Sequence, residues 1–342
     1  MTIIPASQLR DLSERIFRAV GATSDEARIV ADHLVESNLR GVDSHGVIRI
    51  PQYVKEVREG SIRPGAAITV LQSAAATAVV DCGWNFGQVG AVRAMALAME
   101  KAREGQPSAV VTRACNHAGR LGAYVEMAAA EGLIAMAFCS SPRHGHFVVP
   151  WGGRDGRLST NPIAFGIPAG SRPPIIADFS TSAAPEGKIR LHRNRARRLP
   201  EAWILDGMGR PSTNPMDFYG PPQGVILPFG GKLGYRGYAL ALLVETLATV
   251  LAGDDSTAER PGNGVAFLVL SPAAFLSAAD YARLMEVLAA YVISSRPANA
   301  DNPVMLPGDP ERRIKEERLR SGVHVEETTL DLIRSTETAV LP

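Results

Sequence analysis

Residues 41–51 read Gly-Val-Asp-Ser-His-Gly-Val-Ile-Arg-Ile-Pro, which sets the His45 imidazole beside the Ser44 hydroxyl and the Arg49 guanidinium four residues further on. Four residues are about one helical turn, so on a helix His45 and Arg49 would share a face. An imidazole titrates near neutral pH and can give or take a proton, while a guanidinium fork grips a carboxylate. The pair therefore suits an enzyme acting on a small keto or hydroxy acid. An ordinary loop with a structural His and a solvated Arg has the same residues, and the segment alone leaves both readings open.

Three further stretches carry candidate chemistry. In Asn116-His117-Ala118-Gly119-Arg120-Leu121-Gly122 a strand gives way to a helix. Backbone N–H groups at such a helix start can hold phosphate, and Ala118 and Gly119 permit close approach. A helix-capping loop with a packed His stands equally open. Asp178-Phe179-Ser180-Thr181-Ser182 is rich in short hydroxyl side chains that can donate to a phosphate or ribose, or simply form a solvated turn. Lys188, Arg190, Arg193, Arg195, Arg197 and Arg198 make a basic run, read as a solvated surface strand or loop, some of whose charges could meet a cofactor phosphate.

These residues must be positioned by regular elements. Leu9, Leu12, Ile16, Phe17 and Val20 recur at three- and four-residue steps, so residues 6 to about 39 read as two helices broken at Gly21. Thr23 followed by Glu26 has the spacing of a capping box that starts the second. His33 on that helix reads as a partly buried or surface residue. Strands are expected over 66–71, 76–80, 109–112, 134–139, 163–167, 175–178 and 265–270, and helices over 87–103, from 122 to about 131, and over 309–322. Residues 237–252 and 273–294 read as long buried helices rich in Ala and Leu. The stretch 141–162 is an ordered loop region. Strands and helices mix irregularly, which predicts an α/β (mixed α+β) fold with no visible linker.

Composition narrows the class. Of 342 residues, 46% are hydrophobic and 21% charged, with a net charge of +1, so neither nucleic acid nor an anionic membrane is expected as partner. Cys82, Cys115 and Cys139 form no metal-type spacing, so no metal is expected and a cytoplasmic location fits. The first residues lack the pattern of a signal peptide, and Glu131 and Glu245 interrupt the best apolar runs. GxGxxG, GxxxxGK[ST] and GxSxG are all absent, which disfavours a Rossmann dehydrogenase, a P-loop enzyme and a serine esterase.

Taken in order, Asp43-Ser44-His45-Gly46, Arg49-Ile50-Pro51-Gln52-Tyr53, His117-Ala118-Gly119, Thr160-Asn161-Pro162, Asp178 to Ser182, Gly187-Lys188, Leu227 to Gly231, Gly237-Tyr238-Ala239-Leu240 and Leu306-Pro307-Gly308 resemble the malate/L-lactate dehydrogenase family that is unrelated to the Rossmann-fold enzymes. Arg120 after His-x-Gly is similar to the hydroxycarboxylate dehydrogenase branch. The resemblance implies an NAD- or NADP-dependent oxidoreductase, usually a homodimer, with a non-Rossmann cofactor domain built on a mixed or antiparallel sheet. On that basis residues 71–224 are expected to form the cofactor domain, and 1–70 with 225–342 a helix-rich substrate and dimerisation domain. It implies His45 as proton donor or acceptor, with Ser44 beside it and His117 competing for the role, and Lys188 completes the candidate catalytic set. Arg49 and Thr160 would hold the substrate carboxylate, with Arg236 near. His117, Ala118, Gly119, Arg120, Leu121, Ser141, Asp178, Phe179, Ser180, Pro307, Gly308 and Asp309 would line the cofactor.

Three features depart from the family pattern, one being Lys232-Leu233-Gly234-Tyr235, which makes that loop longer than in the shortest members. Arg236 stands where Lys is usual, and a planar fork binds differently from a point charge. Lys188 stands where the cyclic-imine reductases of the family tend to have Asp. A cationic imine substrate is opposed by a Lys, so a 2-oxo/2-hydroxy acid is preferred. Pyrroline- or piperideine-2-carboxylate is the alternative substrate, and a non-catalytic protein using the basic run is the remaining one.

Overall fold

A computed structural model of the chain describes residues 2–255, 257 and 262–341. Its helices are α1 (Ala6–Ala19), α2 (Ser24–Leu39), α3 (Ile50–Arg58), α4 (Gly87–Arg103), α5 (Gly122–Ala130), α6 (Glu186–Asn194), α7 (Met216–Tyr219), α8 (Tyr235–Glu245), α9 (Ala278–Ile293), α10 (Asp309–Ser321) and α11 (Glu327–Val340). The strands are β1 (Thr2–Ile4), β2 (Thr69–Ser73), β3 (Thr77–Asp81), β4 (Ser108–Arg113), β5 (Ile134–Ser140), β6 (Ile163–Ala169), β7 (Arg172–Phe179), β8 (Ile204–Leu205), β9 (Pro211–Ser212), β10 (Val225–Ile226), β11 (Gly264–Leu270) and β12 (Val323–Val325).

A seven-stranded sheet in the order β2-β3-β4-β11-β5-β6-β7 forms the centre. Within it β3 and β4 run parallel and every other pair antiparallel, so the sheet is mixed. Among the described residues no doubly wound parallel sheet is present to offer a Rossmann phosphate turn. Strand β11, which lies in the 225–342 part of the chain, is the middle strand, paired with β4 on one side and β5 on the other.

The pleat of β11 explains how the layers are built. Val265, Phe267 and Val269 point into the core beneath α4 and α5, among Ala94, Met95, Ala98, Tyr124 and Val125. Ala266 points the opposite way, against Ala248 and Val244 from α8 and the turn that follows it. Successive side chains on a strand alternate faces, so one apolar run serves two cores. Fully burying an aromatic such as Phe267 contributes about 1.5–3 kcal/mol.

A second core joins α1, α2 and α3 to the C-terminal α11, with Phe17, Leu34, Ile50, Tyr53, Phe86 and Ile333 inside it. Strand β1 pairs with β12, which ties the two ends of the chain together. At the start of α2, Thr23 Oγ1 accepts from the Glu26 amide and the Glu26 carboxylate accepts from the Thr23 amide, the capping box expected from the sequence.

Three expectations are corrected. The basic run is neither strand nor loop over most of its length but the helix α6, followed by a turn. Its local charge pairs compete with strand geometry: Arg190 reaches Glu186 one turn away at 2.9 Å, and Arg193 lies 4.2 Å from the Tyr219 ring centroid. Helix α9 is not buried in this chain. Ala289 alone among its residues is buried, while Phe275, just ahead of the helix, and Tyr291 are 72% and 77% exposed. Helix α8 is likewise half open, with Leu240, Leu242 and Leu243 exposed, and runs into a π-helical turn at Thr246–Val250. No helix among the described residues is long and apolar enough to cross a membrane.

Candidate active site

The 43–49 segment is not one helix. Asp43–His45 and Val47–Arg49 are separate 3-10 turns, parted by Gly46 in an extended conformation (φ −92°, ψ −154°). His45 and Arg49 therefore do not share a helix face. The turns are held from α2: Asn38 Oδ1 accepts from the Val47 amide at 2.8 Å and Asn38 Nδ2 donates to Asp43 at 2.6 Å. A Cβ at position 46 would run into the Asn38 amide, so only glycine allows this approach. From α10, Arg318 pairs with Asp43 at 2.6 Å.

This scaffold brings the expected groups together by another route. Ser44 Oγ lies 2.9 Å from His45 Nδ1. The Arg49 side chain folds back, its Nε donating to the Ser44 carbonyl at 2.8 Å and its Nη1 to Gln52 Oε1 at 2.7 Å. Across the gap, the His117 ring stacks on His45 with centroids 5.5 Å apart and planes 21° from parallel. His117 Nδ1 is 2.6 Å from the Tyr53 hydroxyl, which accepts from Gln88 Nε2 at 2.8 Å.

The loop carrying His117 is fixed on several sides. Asn116 Nδ2 donates to the carbonyls of Ser61, Trp84 and Asn85. The Ala118 amide donates to Asn263 Oδ1 at 3.1 Å, the Arg120 amide to His33 Nε2 at 2.9 Å and the Gly122 amide to Asp178 Oδ2 at 2.7 Å. Gly119 between them has φ +73°. The expectation that this helix start presents free N–H groups to a phosphate is thus corrected, because three of its amides are already engaged by the protein.

Electrostatics follow from enclosure. Burial, with Arg49 and Arg120 nearby, pushes the pKa of His45 down to about 4. Burial does the same to His117, helped by Arg49 and His45. His33 is pushed down to about 3 by burial, then by Arg120 and His45. At neutral pH all three imidazoles are uncharged. Burial also raises the pKa of Asp178, partly offset by the Gly122 amide.

The other predicted residues fall at varied distances from this cluster. Ser141 joins it indirectly: Asn263 Nδ2 donates to Ser141 Oγ at 3.0 Å while its Oδ1 holds Ala118. Asp178 and Phe179 end β7 and Ser180 follows it, and the turn at Pro307, Gly308 and Asp309 docks on the same strand through a 3.1 Å bond from the Ile176 amide to the Pro307 carbonyl. Leu121 is buried beside them. Lys188 is exposed at the start of α6, and a Cβ on neighbouring Gly187 would lie 3.9 Å from Ser44 Cβ, so this helix start faces the Ser44 turn. Thr160 bonds to Thr181 through its carbonyl, and the exposed Arg236 bonds to Tyr235. No hydrogen bond joins either to Arg49.

Tyr53, Gln88, His33 and Asn263 were not singled out for a role from the sequence. Tyr53 lies within the motif that follows Arg49, but the others lie in ordinary helical or strand-edge contexts with no local signal.

A bound dinucleotide needs contacts for its phosphates, and Arg120 fits that need. Its side chain is buried and ion-paired with Glu126 at 3.1 Å, yet its Nε has no partner among the described residues. Among the described residues, no group of three or more His, Cys, Asp or Glu is placed to hold a metal ion.

Comparison with known proteins identifies the family. Residues 4–334 match the model of the malate/L-lactate dehydrogenase family. The chain is similar to hydroxycarboxylate dehydrogenase B of Escherichia coli (strain K12), 34% identical over 326 residues that span 93% of this chain and 89% of that one. Its fold is similar to that of sulfolactate dehydrogenase from Methanocaldococcus jannaschii, with a TM-score of 0.90, 29% identity, and coverage of 99% and 97%. It is also similar to delta1-piperideine-2-carboxylate reductase from Pseudomonas syringae pvar. tomato, with a TM-score of 0.86, 28% identity, and coverage of 98% and 100%.

Proposed function

The chain belongs to the malate/L-lactate dehydrogenase family and is an oxidoreductase acting on CH–OH groups with a nicotinamide cofactor, and from that premise we propose that it interconverts a small 2-oxo acid and its 2-hydroxy acid using NAD or NADP. The observation that carries this reading is the stacked His45–His117 pair with Arg49 folded against Ser44.

When bound, a nicotinamide cofactor would supply or take up the hydride at the carbon that bears the oxygen. Arg49, helped by Thr160, holds the substrate carboxylate by paired charge-assisted hydrogen bonds and so fixes where that carbon sits. Negative charge develops on the substrate oxygen as the carbonyl is reduced, and His45 or His117 meets it with a proton. Both rings are neutral in the free protein, so either can accept the alcohol proton in the oxidative direction. In the reductive direction the arriving carboxylate offsets the field of Arg49 and draws a proton onto the imidazole. Arg120, the 117–121 loop, Ser141, Asp178 to Ser180 and Pro307 to Asp309 are assigned to the cofactor side, and Lys188 and Arg236 to the rim.

The test is NAD(P)H oxidation with a panel of 2-oxo acids for the native chain, His45→Ala and His117→Ala. Loss of about 10²-fold or more in one or both variants is expected. Undiminished turnover in His45→Ala removes that residue from the mechanism. The likeness to a piperideine-2-carboxylate reductase keeps cyclic imines as the second reading. The exposed Lys188 beside the Ser44 turn speaks against a cationic imine, and imines outperforming 2-oxo acids by orders of magnitude would reverse that preference.

The exposed apolar residues of α8 and α9 support a homodimer, since a second copy would cover them. The unpaired, buried thiols of Cys82, Cys115 and Cys139 support a reducing, cytoplasmic setting. Within the basic run, Arg190, Arg193 and Arg198 are engaged with Glu186, Tyr219 and Thr213.

A further inference from the structure

Gln88 lies in the first turn of α4, wholly buried, and Tyr53 in α3 is 1% exposed. Neither can exchange its hydrogen-bond partners with bulk water. Gln88 Nε2 donates to the Tyr53 hydroxyl oxygen at 2.8 Å, and that hydroxyl lies 2.6 Å from His117 Nδ1. Gln88 Oε1 is buried with no partner among the described residues. An orphaned buried acceptor is costly, and its presence beside a titratable chain calls for an account.

Proton counting supplies one. With the amide NH2 turned toward Tyr53, the hydroxyl proton points to His117 Nδ1, which must then be bare. His117 is left neutral with its proton on Nε2. If the amide turns over, Oε1 accepts the Tyr53 proton. The Tyr53 oxygen is then free to accept from Nδ1–H, and His117 can hold two protons, the unpartnered end of the amide being its NH2 in place of its oxygen. The two amide orientations occupy nearly the same space, so the exchange costs little packing.

We propose that Gln88 and Tyr53 are positioning residues that set the protonation of His117, one orientation of the Gln88 amide fitting the neutral Nε2–H imidazole and the other the imidazolium. Neither touches substrate or cofactor; both act through His117. Burial raises the pKa of Tyr53, so its hydroxyl stays protonated and serves only as a relay of hydrogen-bond direction. The charged and titratable groups around His117 are Arg49 and His45 from the two 3-10 turns and His33 from α2, and Arg49 is the fixed cation among them. Backbone placement is rigid, because a Cβ at Gly87 would strike the carbonyls of Asn116 and His117, which puts the start of α4 directly against the loop.

The effect on turnover rests on the dehydrogenase reading, but the tautomer can be measured without activity. Nitrogen NMR of the full chain labelled in histidine reports it, with His117→Gln identifying the signal. At neutral pH the native protein should show His117 with bare Nδ1 and protonated Nε2. Gln88→Glu supplies a permanent acceptor and should raise the pH at which His117 titrates by about one unit or more, the tenfold equivalent in proton affinity. Tyr53→Phe should give a mixture of tautomers, and Gln88→Met should lower the titration pH.

In kinetics, the Gln88→Glu shift should reappear in the pH profile of kcat/KM, with KM for NAD(P)H unchanged. A native His117 carrying its neutral proton on Nδ1 overturns the proposal, and that measurement needs no variant to fold. So does a titration unmoved in both Gln88 variants. A signal that shifts as expected in a protein that turns over no 2-oxo acid leaves the wiring standing and defeats the functional reading instead.

Discussion

His45 and His117 stack face to face at 5.5 Å, although 72 positions separate them in the chain. Each ring has one nitrogen tied to a hydroxyl, His45 to Ser44 and His117 to Tyr53. The remaining nitrogen of each, Nε2, makes no hydrogen bond among the described residues. Two protonated imidazoles at this distance would repel, so the pair holds at most one extra proton at a time.

That enclosure makes stability depend on pH with a definite sign. His33 is neutral when folded and takes a proton at about 6.5 when unfolded, whereas its folded pKa is about 3. Its contribution is therefore complete above pH 6.5 and is lost as pH falls from there toward 3, at up to about 1.4 kcal/mol per unit. His33→Gln keeps an acceptor near the Arg120 amide but does not titrate. Urea unfolding at pH 7, 6 and 5 should show a shallower decline for the variant than for the native chain, and equal slopes would show that His33 is not the group responsible.

Gly119→Ala should be more damaging than its size suggests. A left-handed conformation costs a non-glycine residue about 1–2 kcal/mol. The new methyl would also meet the His33 ring that anchors Arg120. We expect lower urea midpoints together with weaker NAD(P)H binding by fluorescence titration, and unchanged values of both would show the loop to be tolerant.

Arg49→Lys keeps the charge but cannot bridge the Ser44 carbonyl and Gln52 while gripping a carboxylate. KM for the 2-oxo acid should rise by about tenfold or more, with cofactor affinity unaltered. A variant that retains the native KM would place the carboxylate elsewhere.

Leu288→Glu and Tyr291→Glu put charges on the exposed face of α9. Light scattering after size exclusion should report a dimer for the native chain and a shift toward monomer for the variants. A monomeric native chain would leave that face for another partner.

Much of the local architecture was legible from residue order. Helix α4 spans the same residues as its apolar pattern, the capping box of α2 forms as its spacing dictates, and each predicted strand of the central sheet appears within a few residues of its pattern. These features depend on short-range rules: periodicity, caps and β-branched runs. The 43–49 segment shows where such rules stop. Gly46 and the Asn38 clamp replace the helical turn by two 3-10 turns, and Arg49 reaches Ser44 by folding back.

By itself, the sequence determined a mixed α/β chain without a Rossmann turn, the pairing of Ser44 with His45, and membership of a family through motifs in order. Tertiary structure decided the rest. Asn263 and His33 bond Ala118 and Arg120 of the 117–122 loop from 145 and 87 residues away, and Gln88 reaches His117 only through the Tyr53 hydroxyl, 35 residues from it. Composition marked α9 as apolar but could not say whether its face is covered by its own chain, because the same leucines serve either burial. Hydrogen-bond direction within the His117 chain is likewise a property of partners brought together by packing, which no spacing along the sequence encodes.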